Sequence, residues 1–87
     1  MPRHSGRMDV RALVGRNFAR IRAAKGLTQE QIEERSGFSQ QYLSGLERGK
    51  RNPTIVTLHE LAQALGVSHE DLVRRDELAS AKTKRVR

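Results

Sequence analysis

Apolar side chains recur along this chain at steps of three and four, in short runs broken by glycine, serine, threonine or proline, which is the period of helices packed on one another. Val10, Leu13, Val14, Phe18 and Ile21, followed by Ala24 or Lys25, predict a first helix from Val10 to Lys25, with Gly26 as a left-handed stop. Thr28 with Gln31 three residues on reads as a capping box opening a second helix, whose Ile32 turns inward and which ends at Ser36-Gly37. Ser39 caps a third helix running to about Arg48, with Leu43 and Leu46 on one side. Residues 49–53 form a loop, because Pro53 keeps Asn52 out of the helical region. Thr54 opens a fourth helix with a stripe of Ile55, Leu58, Leu61, Ala62 and Leu65, and Gly66 closes it. Ser68 and Asp71 form a second capping box, opening a fifth helix with Leu72 and Val73 inward. The expected fold is all-α, a compact five-helix domain over residues 9–76. Residues 1–8, without apolar period, are expected to be a flexible basic arm, and 77–87 a basic tail.

The second and third helices are short and joined by a glycine-containing turn of three or four residues, the spacing of a DNA-binding helix-turn-helix. Ile32, Leu43 and Leu46 would pack together and onto Phe18 and Leu58, so the outer face of the third helix is held firmly. That face is expected to carry Gln40, Gln41, Ser44 and Gly45, with Tyr42 beside them. A glutamine amide offers a donor and an acceptor in one plane, matching the N7 and amino group of adenine in the major groove. On an arbitrary helix two glutamines would only decorate a solvated face. On the second helix of this turn they stand where bases are read.

Charge strengthens that picture through its placement. Lys and Arg number 17 against 10 Asp and Glu, a net charge of +7 on 87 residues, which suits a polyanionic partner. Arg48, Lys50 and Arg51 directly follow the third helix, whereas Glu33, Glu34, Glu60, Glu70 and Asp71 lie on other elements. The basic loop is therefore assigned to DNA phosphates, which position a protein while bases specify the site. Arg3, Arg7 and the run from Lys82 to Arg87 fit either phosphate contact or simple solvation. With no cysteine, neither a disulfide framework nor a cysteine-based zinc site is expected. His4, His59 and His69 are scattered, and His59 beside Glu60 reads as a surface residue, so no catalytic set, metal or cofactor is expected and the chain is read as not an enzyme. No apolar run approaches the ~20 residues of a membrane span, and Met1-Pro2-Arg3-His4 lacks a signal-peptide core, which makes the cytoplasm the expected location.

The stretch from Val14 to Val73 resembles the Cro and phage-repressor (Xre-type) helix-turn-helix family of small transcriptional regulators, with a lambda-repressor-like fold. The matching residues are Val14-Gly15, Ile21-Arg22, Gly26 to Glu30, Ser36 to Ser39, Leu43-Ser44, Leu46 to Gly49, Arg51 to Thr54, Thr57-Leu58 and Leu61 to Ser68. The resemblance implies that Gln29 meets a phosphate and that Gln40, Gln41, Ser44 and Gly45 face bases or nearby backbone; Ser39 is assigned to phosphates beside Arg48, Lys50 and Arg51, and Tyr42 to bases beside the glutamines. The resemblance further implies an internal salt bridge between Arg22 and Glu47. Gly45 leaves one groove-facing place without a side chain, for which Tyr42 compensates by touching sugar, phosphate or a thymine methyl. Glu33 stands where the family usually has alanine, so its carboxylate must bend outward or find a partner such as Arg35.

The function these readings imply is sequence-specific binding of double-stranded DNA by a transcriptional regulator. The alternative is an antitoxin or restriction-modification controller that also captures a partner protein, through a tail from Ala79 to Arg87 that lacks an apolar stripe. With no separate ligand-binding domain, regulation is expected to come from concentration, dimerisation or a partner. One recognition helix reads few base pairs, so a homodimer through the fifth helix, with the fourth beside it, is expected on an inverted-repeat operator. Leu72, Val73 and Leu78 motivate that interface.

Overall fold

Each helix begins where a short polar side chain can receive the first free backbone N–H groups. The computed structural model describes residues 9–75 and contains α1 (Val10–Ala24), α2 (Gln29–Ser36), α3 (Gln40–Glu47), α4 (Ile55–Leu65) and α5 (His69–Val73). Among these residues there is no strand. Asp9 accepts hydrogen bonds from the N–H of Arg11 and Ala12. Thr28, Ser39 and Thr54 accept from Gln31, Tyr42 and Thr57 at 3.0, 3.0 and 3.1 Å. The capping box of α2 closes as expected, with the Thr28 N–H donated to the Gln31 side chain at 2.8 Å. Left-handed Gly37 and Gly66 follow α2 and α4.

The helices enclose one core of Val14, Phe18, Ile32, Leu43, Leu46, Leu58, Leu61, Ala62, Leu65 and Leu72. Burying each leucine side chain contributes about 2 kcal/mol. α1 lies against both α3 and α5, while α4 lies against α2 and α5. The contact of α1 with α3 is backbone on backbone: a Cβ at Gly15 would run into the carbonyl oxygen of Leu46. Any side chain there must push the two helices apart.

α5 is anchored by a polar group. Asn17 of α1 is 1% exposed, and its amide donates to the carbonyls of Leu72 at 2.9 Å and Arg74 at 2.8 Å. Its oxygen accepts from Arg20 at 3.0 Å, so both ends of the amide are used.

Three apolar positions differ from the periodic reading. Ile55 is 67% exposed rather than part of the α4 stripe, because the buried stripe begins one turn later at Leu58. Val73, expected inward, is 40% exposed while its neighbour Leu72 is buried. Adjacent helical residues point about 100° apart, so a five-residue helix turns only one of them into the core. Val10 begins α1 at a solvated end. The expected basic arm at 1–8, Asp76, and the tail at 77–87 with Leu78 lie outside the described residues.

Candidate nucleic-acid interface

The turn between α2 and α3 is built from three local bonds. Gly37 takes φ +86°, a conformation that costs a side-chain-bearing residue about 1 kcal/mol or more. Ser36 donates its hydroxyl to the Ile32 carbonyl at 2.7 Å and accepts the Phe38 N–H at 3.1 Å. Ser39 then caps α3, whose Leu43 and Leu46 are fully buried against the rest of the core. From the other side of α2, Arg35 donates to the Ala64 carbonyl at 2.9 Å. That commits the guanidinium considered as a partner for Glu33, which is half-buried.

With its back face fixed, α3 leaves Gln40 and Gln41 exposed in its first turn. Ser44 is half-buried and accepts a bond from the Arg48 guanidinium at 2.6 Å. Lys50 is exposed, and its N–H is donated to the Gly45 carbonyl at 2.8 Å, which starts the following loop. The two glutamines and the cations Arg48, Lys50 and Arg51 thus belong to one continuous element and its exit loop.

One part of the expected outer face is corrected. Gly45 is buried, not open, because Arg51 folds back from the loop and covers it. A Cβ at position 45 would lie 2.8 Å from Arg51 Nε. The Arg51 guanidinium carbon sits 5.3 Å from the centre of the Tyr42 ring, in the range of a cation–π contact. Tyr42 in turn stacks on Phe38, with centroids 5.3 Å apart and planes 24° from parallel. Burial pushes the Tyr42 hydroxyl pKa up, and Arg51 opposes that shift. Sequence reasoning placed Arg51 only among phosphate contacts. The available signal was a glycine inside a helix, six residues before an arginine.

A second polar cluster joins α3 to the rest of the domain. Arg22 donates to Glu47 through Nε at 2.6 Å and Nη2 at 3.1 Å, and through Nη1 to the Leu27 carbonyl at 2.8 Å. The side chains are 20% and 12% exposed. Glu47's hydrogen bonds raise the pKa of Arg22, against the opposing effect of burial. Gln29 also donates to Glu47, at 3.1 Å. Its side chain, expected at a phosphate, is here an internal link between the start of α2 and the end of α3. The backbone N–H of Gln29, in the first turn of α2, has no acceptor within its own helix.

Residues 18–72 match the family described as Helix-turn-helix. Over 66 residues the chain is 76% identical to an uncharacterised HTH-type transcriptional regulator of Sinorhizobium fredii, a match spanning 76% of this chain and 86% of that protein. It is 38% identical over 71 residues to control protein C.SmaI of Serratia marcescens, spanning 82% of this chain and 84% of that one. Among solved structures, the restriction-modification controller protein C.Esp1396I, crystallised as a tetramer with its natural 35 base-pair operator, is similar at a TM-score of 0.66. It is 29% identical and the match covers 78% of this chain and all of that one.

Proposed function

Because this chain belongs to the helix-turn-helix family of DNA-binding transcriptional regulators, we propose that it reads its operator by laying α3 in the major groove, with Gln40 and Gln41 as base-contacting residues. It binds double-stranded DNA sequence-specifically and regulates transcription, a reading supported by a relative named as an HTH-type transcriptional regulator and by the C.Esp1396I controller held on its natural operator. The observation that carries the assignment of α3 is its two-sidedness. Leu43 and Leu46 are fully buried while Gln40 and Gln41, at the capped end of the same eight-residue helix, are exposed. A rigid helix ending in bidentate amides is suited to reading adenine.

Ser44 and Tyr42 complete the surface toward bases and sugar, and Ser39, Arg48, Lys50 and the N-terminal turn of α2 at Gln29 hold phosphates. Two copies pair on an inverted repeat, their recognition helices about 34 Å apart. α5, with Val73 exposed, supplies the pairing surface. No described helix is long and apolar enough to cross a membrane. We read the protein as a non-enzymatic regulator acting in the cytoplasm. A role resting on capture of a protein partner is not the reading that these similarities favour.

Selection of bound duplexes from a random library tests this directly. Wild-type protein should enrich an inverted repeat, and Gln40→Ala or Gln41→Ala should erase the preference at one position per half-site. Enrichment unaffected by either substitution would remove the glutamines from the reading surface.

A further inference from the structure

On the outer side of α3, Gln41, Gly45 and Arg48 follow one another at steps of four and three, which places them along a single helical ridge. The middle place has no side chain of its own. Arg51 fills it from outside the helix, its Nε 2.8 Å, and its Cγ and Cζ 3.5 Å, from where a Cβ of residue 45 would stand. The guanidinium is held there over Tyr42, which is itself stacked on Phe38, a residue packed against the core. Arg51 nevertheless remains exposed.

These contacts do something a phosphate-binding cation does not need. A phosphate can be met by a flexible, freely rotating charge, as an exposed lysine provides. A planar guanidinium fixed on an aromatic face has already lost much of its rotamer freedom, and its remaining N–H edge points from a set position. An arginine so placed on a groove-facing helix matches the paired O6 and N7 acceptors of guanine. We propose that Arg51 is a specificity-determining residue that reads a guanine in the major groove, in the space left by Gly45. Tyr42 is its positioning residue. The inference rests on the reading of α3 as the helix that enters the groove.

The test uses the full-length protein and an operator obtained by selection with the wild type. Arg51→Ala should lose a guanine preference at one position in each half-site, with affinity for that operator falling by about five-fold to a hundred-fold more than affinity for unrelated duplex. Arg51→Lys keeps the charge but not the planar fork that rests on Tyr42, and should recover at most part of the preference. Gly45→Ala should displace the arginine and weaken the same preference, and Tyr42→Leu, which removes the ring under the guanidinium, should weaken it too. Replacing that guanine by 7-deazaguanine removes the N7 acceptor. This should weaken wild-type binding and leave Arg51→Ala indifferent. If Arg51→Ala keeps the guanine preference and loses affinity for every duplex alike, or if 7-deazaguanine weakens wild type and Arg51→Ala equally, Arg51 does not read that base and the proposal is wrong. Failure of the wild type to enrich any sequence would overturn the groove reading itself. An enriched operator whose preferences depend on Gln40 and Gln41, but not Arg51, would overturn this inference alone.

Discussion

Glu47 closes α3 by accepting two hydrogen bonds from the Arg22 guanidinium, at 2.6 and 3.1 Å, and through it the last turn of α3 is tied to α1 and to the loop before α2. Removing one member of a largely buried pair strands the other and costs about 3 kcal/mol or more. Glu47→Ala should therefore lower the melting temperature of the domain by more than about ten degrees. Glu34→Ala, on an exposed position of α2, should change it by about a tenth as much. Thermal melting by circular dichroism distinguishes these outcomes, and equal melting temperatures would mean that the bridge does not hold the fold.

Asn17, in the middle of α1, makes a comparable link to α5. Asn17→Ala leaves the Leu72 and Arg74 carbonyls without their donor in a buried place and should cost about 2 to 3 kcal/mol. Amide hydrogen exchange should show the loss concentrated in α5. Uniformly faster exchange across all helices would instead indicate a general loss of packing.

Asp71 carries a pH dependence whose sign follows from its contacts. The Arg74 side chain first, and then the Ser68 backbone N–H, hold its carboxyl below the ordinary aspartate value. A depressed value in the folded state means stability present above about pH 4 and lost as pH falls through the folded value. Asp71→Asn should thus lower the melting temperature at neutral pH, and the difference from wild type should vanish in strong acid. A difference that persists unchanged at low pH would exclude the ionised form as its source.

The cations beside the reading helix predict a salt dependence. Each phosphate contact adds about 0.9 to the slope of log affinity against log salt on duplex DNA. Lys50→Ala should lower the slope by about one such step and leave sequence preference intact, as measured by titration at several salt concentrations. An unchanged slope would place Lys50 away from the backbone.

Local chemistry made the helices legible in the sequence. Thr28, Ser39 and Thr54 are recognisable caps because each bonds to an N–H only three residues away, and Gly37 and Gly66 announce their turns by a conformation few other residues adopt. The Arg22–Glu47 bridge was legible through the family pattern and was found. Contacts between distant residues were harder to read. Nothing around Asn17 announces a bond to a carbonyl 55 residues on, and an α1 reading by apolar period alone passes over it. Gly45 was seen as a missing side chain, but the arginine covering it arrives from a loop whose path no helical period describes. Ile55 and Val73 show the limit of the period itself, which gives direction around a helix and not how far the core extends along it.

The absent side chain at Gly15 has a consequence for how this protein can change. Because α1 and α3 meet there backbone to backbone, the height of the reading helix above the domain is set by main-chain atoms that no substitution on the opposite face alters. Gln40 and Gln41 can be exchanged for other polar residues without moving that seat. New operator preferences are therefore reachable by single substitutions from a folded starting point, whereas a change at position 15 shifts every contact of α3 at once.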